Sequence, residues 1–88
     1  MSSPLMRRGR IEVFEELLKE ARKGTPKTRL MYRCNLNLIR FRRYFKYLQD
    51  KGLIAQVSTK EGRVIYKTTR KGEEFLEAVQ KLRKYIDL

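Results

Sequence analysis

The sequence has no histidine and a single cysteine, Cys34, among its 88 residues. An internal disulfide is excluded, the two commonest zinc ligands are missing in any useful number, and histidine-based acid–base catalysis has no residue to carry it. Without a base beside it, Cys34 reads as a small buried residue near a turn rather than a nucleophile, and one unpaired thiol fits a reducing, intracellular compartment. No apolar run approaches the roughly 18–20 residues that span a bilayer, and MSSPLMRRGR lacks the h-region and cleavage site of a signal peptide. A cytoplasmic protein without a membrane partner is expected. There is no phosphate-cradling glycine loop, metal set or nucleophile–base pair, so neither an enzyme nor a cofactor is expected, and no small-molecule ligand is evident. The adjacent acids Glu15 and Glu16, and Glu73 and Glu74, are read as solvated helix faces and dipole compensation rather than as paired catalytic carboxylates.

The absence that says most concerns acids: from Ala21 to Gln49 there are nine Lys or Arg and no Asp or Glu. Over the whole chain, 22 basic residues against ten acidic ones give a net charge of +12. Such an excess repels itself in the compact state and attracts polyanions such as nucleic acid or anionic membrane. A hydrophobic content of 41% is enough for folding, so the charge sits on a globular body. A chain of this length forms one small domain burying roughly 60–65% of its unfolded surface.

Residues 1–9 have no apolar periodicity and are read as a flexible basic tail, although Arg7, Arg8 and Arg10 could reach a phosphate or minor groove. Ile11, Phe14, Leu17, Leu18 and Ala21 then recur at helical spacing, and Gly24 is the expected C-cap. Thr25 and Pro26 are read as N-cap and first turn of a second helix carrying Leu30 and Met31 inward. The two asparagines of CNLN at 34–37 interrupt it, and Asn37 caps a third helix running to about Lys51, where Gly52 stops it. LIAQVS and RVIYKT are short β-prone runs joined through TKEG, a hairpin whose glycine supplies positive φ. Thr68 or Thr69 caps a last helix with Gly72, Phe75, Val79, Leu82 and Ile86 at steps of three and four. The order α-α-α-β-β-α is mainly helical with a small hairpin: a winged helix-turn-helix over residues 10–69, followed by a C-terminal helix over 70–88 for core packing and dimerisation.

The stretch NLNLIRFRRYFKYL at 35–48 is apolar and cationic at once. On a helical wheel Phe41, Phe45 and Leu48 share one side, flanked by Leu38 and Tyr44, while Ile39, Arg43 and Lys46 face the other way between Arg40 and Arg42. Such a helix fits the B-DNA major groove, where Arg or Lys pairs with guanine and an apolar side chain touches a thymine methyl. Leu38, Ile39, Arg40, Arg42, Arg43 and Lys46 are accordingly the candidate DNA-binding residues of this helix. Ile39 has a second reading, as an isolated exposed hydrophobe or a contact with the second helix. Lys27, Thr28 and Arg29 at the start of the second helix, with Arg33 further along, would take phosphates. Lys60 and Arg63 at the hairpin tip and Lys67 on its second strand would follow a phosphate strand or the minor groove.

The segments KTRLMYRCNLNLIRFRRYFKYLQDKGLI and YKTTRKGEEFLEAV resemble the archaeal winged-helix DNA-binding family that includes a ten-kilodalton chromatin-associated protein. The likeness covers about residues 11–82, and the middle segment is its most specific part. It implies duplex DNA binding, a recognition helix at residues 37–51 and homodimerisation by antiparallel pairing of C-terminal helices. Cys34 stands where that family commonly has alanine, and Ile39 where it commonly has a polar or basic residue. The last helix spans roughly 25 Å at 1.5 Å per residue, shorter than the long coiled coil of the best-known member. Val79, Leu82, Tyr85 and Ile86 are the expected dimer residues, because their apolar stripe runs past what a small domain needs to cover. A DNA-binding transcription regulator or nucleoid-associated protein is the expected function. A winged-helix protein-interaction module is the alternative, as is an RNA-binding domain using Tyr32, Tyr44 and Tyr47 to stack on bases.

Overall fold

The structure, a computed structural model, describes residues 9–87, so Arg7 and Arg8 of the expected tail lie outside the described residues. Its elements are α1 (Arg10–Glu20), a 3-10 turn (Ala21–Lys23), α2 (Lys27–Arg33), α3 (Leu38–Asp50), β1 (Ile54–Ser58), β2 (Val64–Thr68) and α4 (Arg70–Leu82). The strands form one antiparallel pair with Ile54 opposite Thr68 and Ser58 opposite Val64.

α1 begins at Arg10, one residue before its apolar periodicity, with the last residue of the expected tail, Gly9, as its N-cap; the Glu12 carboxylate accepts the Gly9 N–H at 2.7 Å. Arg10 is therefore a helical residue, not part of an arm. The buried side of α1 is Val13, Phe14, Leu17 and Leu18, continuing to Ala21, whereas Ile11 is 40% exposed. The apolar periodicity of this helix admits either residue, and Val13 is the one buried in the core.

One core joins all elements. Leu30 from α2, Phe41, Phe45 and Leu48 from α3, Leu53 and Ile54 at the start of the hairpin and Leu76 from α4 gather around α1. The Phe14 ring is a hub: it stacks on Tyr47 at 5.0 Å and meets Tyr44 and Phe75 edge-on. Phe45 stacks on Phe41 and meets Tyr66 of β2 edge-on at 4.8 Å, which fixes α3 against the hairpin.

Two local readings need correction. Thr25 does not cap α2; Pro26 occupies that position, and Thr25 instead pairs with Tyr66. Its N–H donates to the Tyr66 carbonyl at 3.0 Å, and Tyr66 N–H donates to the Thr25 carbonyl at 2.8 Å. This one-residue bridge joins the segment between α1 and α2 to the edge of the hairpin. Glu15 is not solvated either: it is buried, and its carboxylate accepts from Arg83 and pairs with Lys19 at 3.3 Å. Burial pushes its pKa up, but hydrogen bonds from Arg83 and Lys19 outweigh that and hold it below the ordinary carboxylate value.

α4 starts where expected. Thr69 is the N-cap, accepting the Gly72 N–H at 3.0 Å, while Thr68 donates its buried hydroxyl to the Leu18 carbonyl at 2.6 Å. The helix ends earlier than its apolar spacing suggests, at Leu82, and Tyr85 and Ile86 fall in the turn beyond. Leu82, Tyr85 and Ile86 are exposed, so apolar burial within the domain does not reward further helical periodicity.

Candidate nucleic-acid interface

The helix-turn-helix is built by three consecutive residues with separate tasks. Asn35 has φ +53°, in the left-handed region that asparagine tolerates. The N–H of Leu36 donates to the Met31 carbonyl and that of Asn35 to the Tyr32 carbonyl, both at 3.1 Å. This is a Schellman closure of α2, with Leu36 buried beneath it. Asn37 then accepts the Arg40 N–H at 2.8 Å and starts α3.

α3 is held by one side only. Phe41, Phe45 and Leu48 are at most 2% exposed, whereas Leu38, Ile39, Arg40, Arg42, Arg43 and Lys46 all face solvent. The aromatic core side and the cationic side are thus opposite, as the wheel requires, with Leu38 and Ile39 as the apolar residues left on the exposed side. Arg40 lies over the Tyr44 ring at 5.7 Å and Lys27 over Phe45 at 5.2 Å, contacts that limit where these cations point. Lys46 pairs with Asp50 at 2.9 Å, but with both side chains largely exposed the pair is weak and leaves Lys46 able to exchange partners.

The hairpin turn is closed by the Thr59 N–H donating to the Arg63 carbonyl at 2.9 Å, with Gly62 at φ +81° supplying the left-handed residue it needs. Lys60 and Arg63 are exposed at this tip. Lys67 alternates with Tyr66, whose ring meets Phe45, so Lys67 lies on the hairpin face turned away from α3. It is not brought together with the other candidates.

Three depressions organise the basic surface. A cleft of about 660 Å³ between α2 and the wing is lined by Pro26, Thr28, Arg29, Tyr32, Arg33 and Arg63, so three of the candidate arginines converge from two elements. A dent of about 130 Å³ between α2 and α3 is lined by Lys27, Thr28, Met31, Leu38, Phe41 and Arg42. A third, of about 280 Å³, sets Arg10 beside Arg43, Tyr44 and Tyr47. Arg10, expected as part of a basic arm, and the 85% exposed Tyr32, expected only as a base-stacking residue of the RNA alternative, both line this surface from within helices. Among the described residues, none of Arg29, Arg33, Arg42, Arg43, Lys60, Arg63 and Lys67 is paired with a carboxylate.

The pattern that defines winged helix-turn-helix proteins matches residues 7–87, nearly the whole chain. This chain belongs to the winged helix-turn-helix family. An uncharacterized protein of Methanocaldococcus jannaschii is 34% identical over 80 residues, covering 90% of this winged helix-turn-helix chain and 36% of the relative. The chain thus spans about a third of that relative's length. Among solved structures, Sso10a-2, a DNA-binding protein from Sulfolobus solfataricus, superposes with a TM-score of 0.70 at 24% identity, covering 88% of this chain and 80% of that one. A probable transcriptional regulator from Pseudomonas aeruginosa does so with a TM-score of 0.65 at 17% identity, over 86% and 57% of the respective chains. At these identities the structures share the winged-helix fold. No helix among the described residues is long and apolar enough to cross a membrane.

Proposed function

We propose that this winged helix-turn-helix protein binds duplex DNA, as a transcription regulator or a nucleoid-associated protein, with α3 in the major groove and the wing tip along the flanking backbone. The observation that carries this reading is the basic surface of α2 and α3, whose residues from Ala21 to Gln49 include no acid and whose cations project from rigid elements and are largely unpaired. Lys27, Arg29, Arg33, Lys60 and Arg63 would neutralise phosphates, and Arg40, Arg42, Arg43 and Lys46 would enter or border the groove. A winged helix that serves as a protein-interaction module has no need of so uniform a charge. Likeness to a DNA-binding protein of the same fold supports the same reading. Catalysis has no part in it.

If about six cations per domain meet phosphates, affinity for duplex DNA falls on the order of a thousandfold between about 50 and 200 mM salt. Fluorescence anisotropy with a labelled duplex, with duplex RNA and single strands as competitors, measures this. Salt-insensitive binding, or no duplex binding at low salt, refutes the proposal, and a preference for RNA refutes the choice of DNA.

We also propose a homodimer formed through the C-terminal segment. Leu82, Tyr85 and Ile86 are exposed there, an apolar group beside a basic surface, whereas Val79 is 6% exposed and serves the chain's own packing. Sedimentation across micromolar concentrations tests this; a monomer throughout overturns it.

A further inference from the structure

The groove-facing start of α3 has an unusual chemistry for a reading surface. Side chains that discriminate bases by hydrogen bonding are amides, carboxylates, hydroxyls, Lys or Arg, and the N-terminal residues of a recognition helix are the ones that reach base edges. Over residues 38–44 the exposed side chains are Leu38, Ile39, Arg40, Arg42 and Arg43. No amide, carboxylate or hydroxyl is among them. Gln49 and Asp50 lie at the far end of α3, and Asp50 is engaged with Lys46.

Ile39 is 73% exposed and Leu38 50% exposed, in the middle of the most cationic surface of the molecule. Beside them is the dent between α2 and α3, with Leu38, Met31 and Phe41 as its apolar part and Lys27, Thr28 and Arg42 at its rim. Its volume of about 130 Å³ is ample for a methyl group and part of the ring that bears it. A hydrophobic knob and a hydrophobic dent, ringed by cations, call for an apolar group carried on a polyanion. In the major groove of DNA only one base supplies it, the C5-methyl of thymine.

We infer that Ile39 and the Leu38 dent form a thymine-reading pair: Ile39 packs on one thymine methyl and the dent receives a neighbouring one, while Lys27 and Arg42 anchor the phosphates alongside. This rests on the DNA-binding reading and specifies what the site recognises. The protein then prefers duplexes with thymine where α3 docks, the methyl contacts discriminating alongside any hydrogen bonds that Arg40, Arg42 and Arg43 make to base edges.

Replacing thymine by uracil removes only that methyl and leaves charge and base pairing intact. Duplexes selected from a random pool for tight binding are remade with uracil and titrated against the full chain. The expected result is a loss of about fourfold in affinity for each contacted methyl. The double variant Leu38→Ala/Ile39→Ala, whose changed side chains are half or more exposed and whose folding is checked by thermal melting, binds more weakly and no longer distinguishes the two duplexes. Lys60→Ala at the wing tip weakens both duplexes equally and keeps the ratio. Equal binding of thymine and uracil duplexes by the unaltered protein overturns the thymine assignment while leaving DNA binding in place, as does full discrimination by the double variant. Absence of binding to either duplex overturns both readings.

Discussion

Gly72 sits three residues into α4, where alanine ordinarily stabilises a helix by up to about 1 kcal/mol. Here Gly72→Ala is expected to destabilise. A Cβ built at this position lies 2.3 Å from the Leu53 carbonyl oxygen and 2.6 Å from the Thr68 Cγ2. The oxygen cannot yield easily, because it already accepts the Thr69 N–H at 3.0 Å and belongs to the short link between α3 and the hairpin. Restoring ordinary contact requires about an ångström of movement between α4 and that link. Overpacking of this kind costs about 1–3 kcal/mol, and the rigidity of the obstacle places it at the upper end, leaving about 2 kcal/mol net after the helix-propensity gain. For a domain of this size that lowers the melting temperature by roughly 8–16 °C. Thermal and urea melts of Gly72→Ala beside Ala78→Gly, an exposed mid-helix change worth about 1 kcal/mol, measure it. A melting temperature unchanged or raised in Gly72→Ala refutes the close-approach argument.

Glu15→Gln loses about 1 kcal/mol at neutral pH, because the partly exposed Arg83 and Lys19 side chains then meet an uncharged partner at a buried position. The folded-state pKa of Glu15 lies below its ordinary 4.5, so its contribution is present above that value and fades as pH falls through the lower folded one; the gap between wild type and variant in pH-dependent melts should narrow below pH 4.5. Asn37→Ala removes the α3 cap and costs about 0.5–2 kcal/mol by chemical denaturation, while Asn37→Ser or Asn37→Asp restores most of it. Thr69→Ala is expected to lose about 1–2 kcal/mol in the same assay, since its hydroxyl both caps α4 and donates to the Gly52 carbonyl at 2.7 Å; Thr69→Ser keeps both bonds and most of the stability.

What the sequence made legible was local. The capping by Asn37 and Thr69 and the left-handed turn at Gly62 each act within a few residues, so the turn, the hairpin and the start of α4 could be read from spacing and side-chain chemistry. The two faces of α3 were legible for the same reason: a helix of 13 residues repeats often enough for its apolar side to be unambiguous. What escaped was non-local. Thr25 beside Pro26 has the chemistry of a cap, but its backbone is claimed by Tyr66, 41 positions along. Glu15 has the look of a solvated acid on an amphipathic helix, but Arg83 reaches it from 68 positions away. The end of α4 shows the converse error, where regular apolar spacing through Ile86 outlasts the surface that could hold it in a helix.

These non-local contacts bear on the basic surface more than their small number suggests. α3 and the hairpin are separated by three residues, 51–53, and that link is clamped by Thr69 at both Gly52 and Leu53. The middle of β2 is tied to the residue before α2 through Thr25, so α2, α3 and the wing are fixed to one another by hydrogen bonds to backbone groups at two places. The candidate cations therefore project from a single preorganised frame, and little of their attraction for a duplex is spent on ordering the protein. Rigidity also sharpens the consequence of placing Leu38 and Ile39 at the front of that frame. On a mobile loop two exposed aliphatic side chains would adapt to any base edge; held on the first turn of a fixed helix, they favour a partner that carries its methyl groups where they stand.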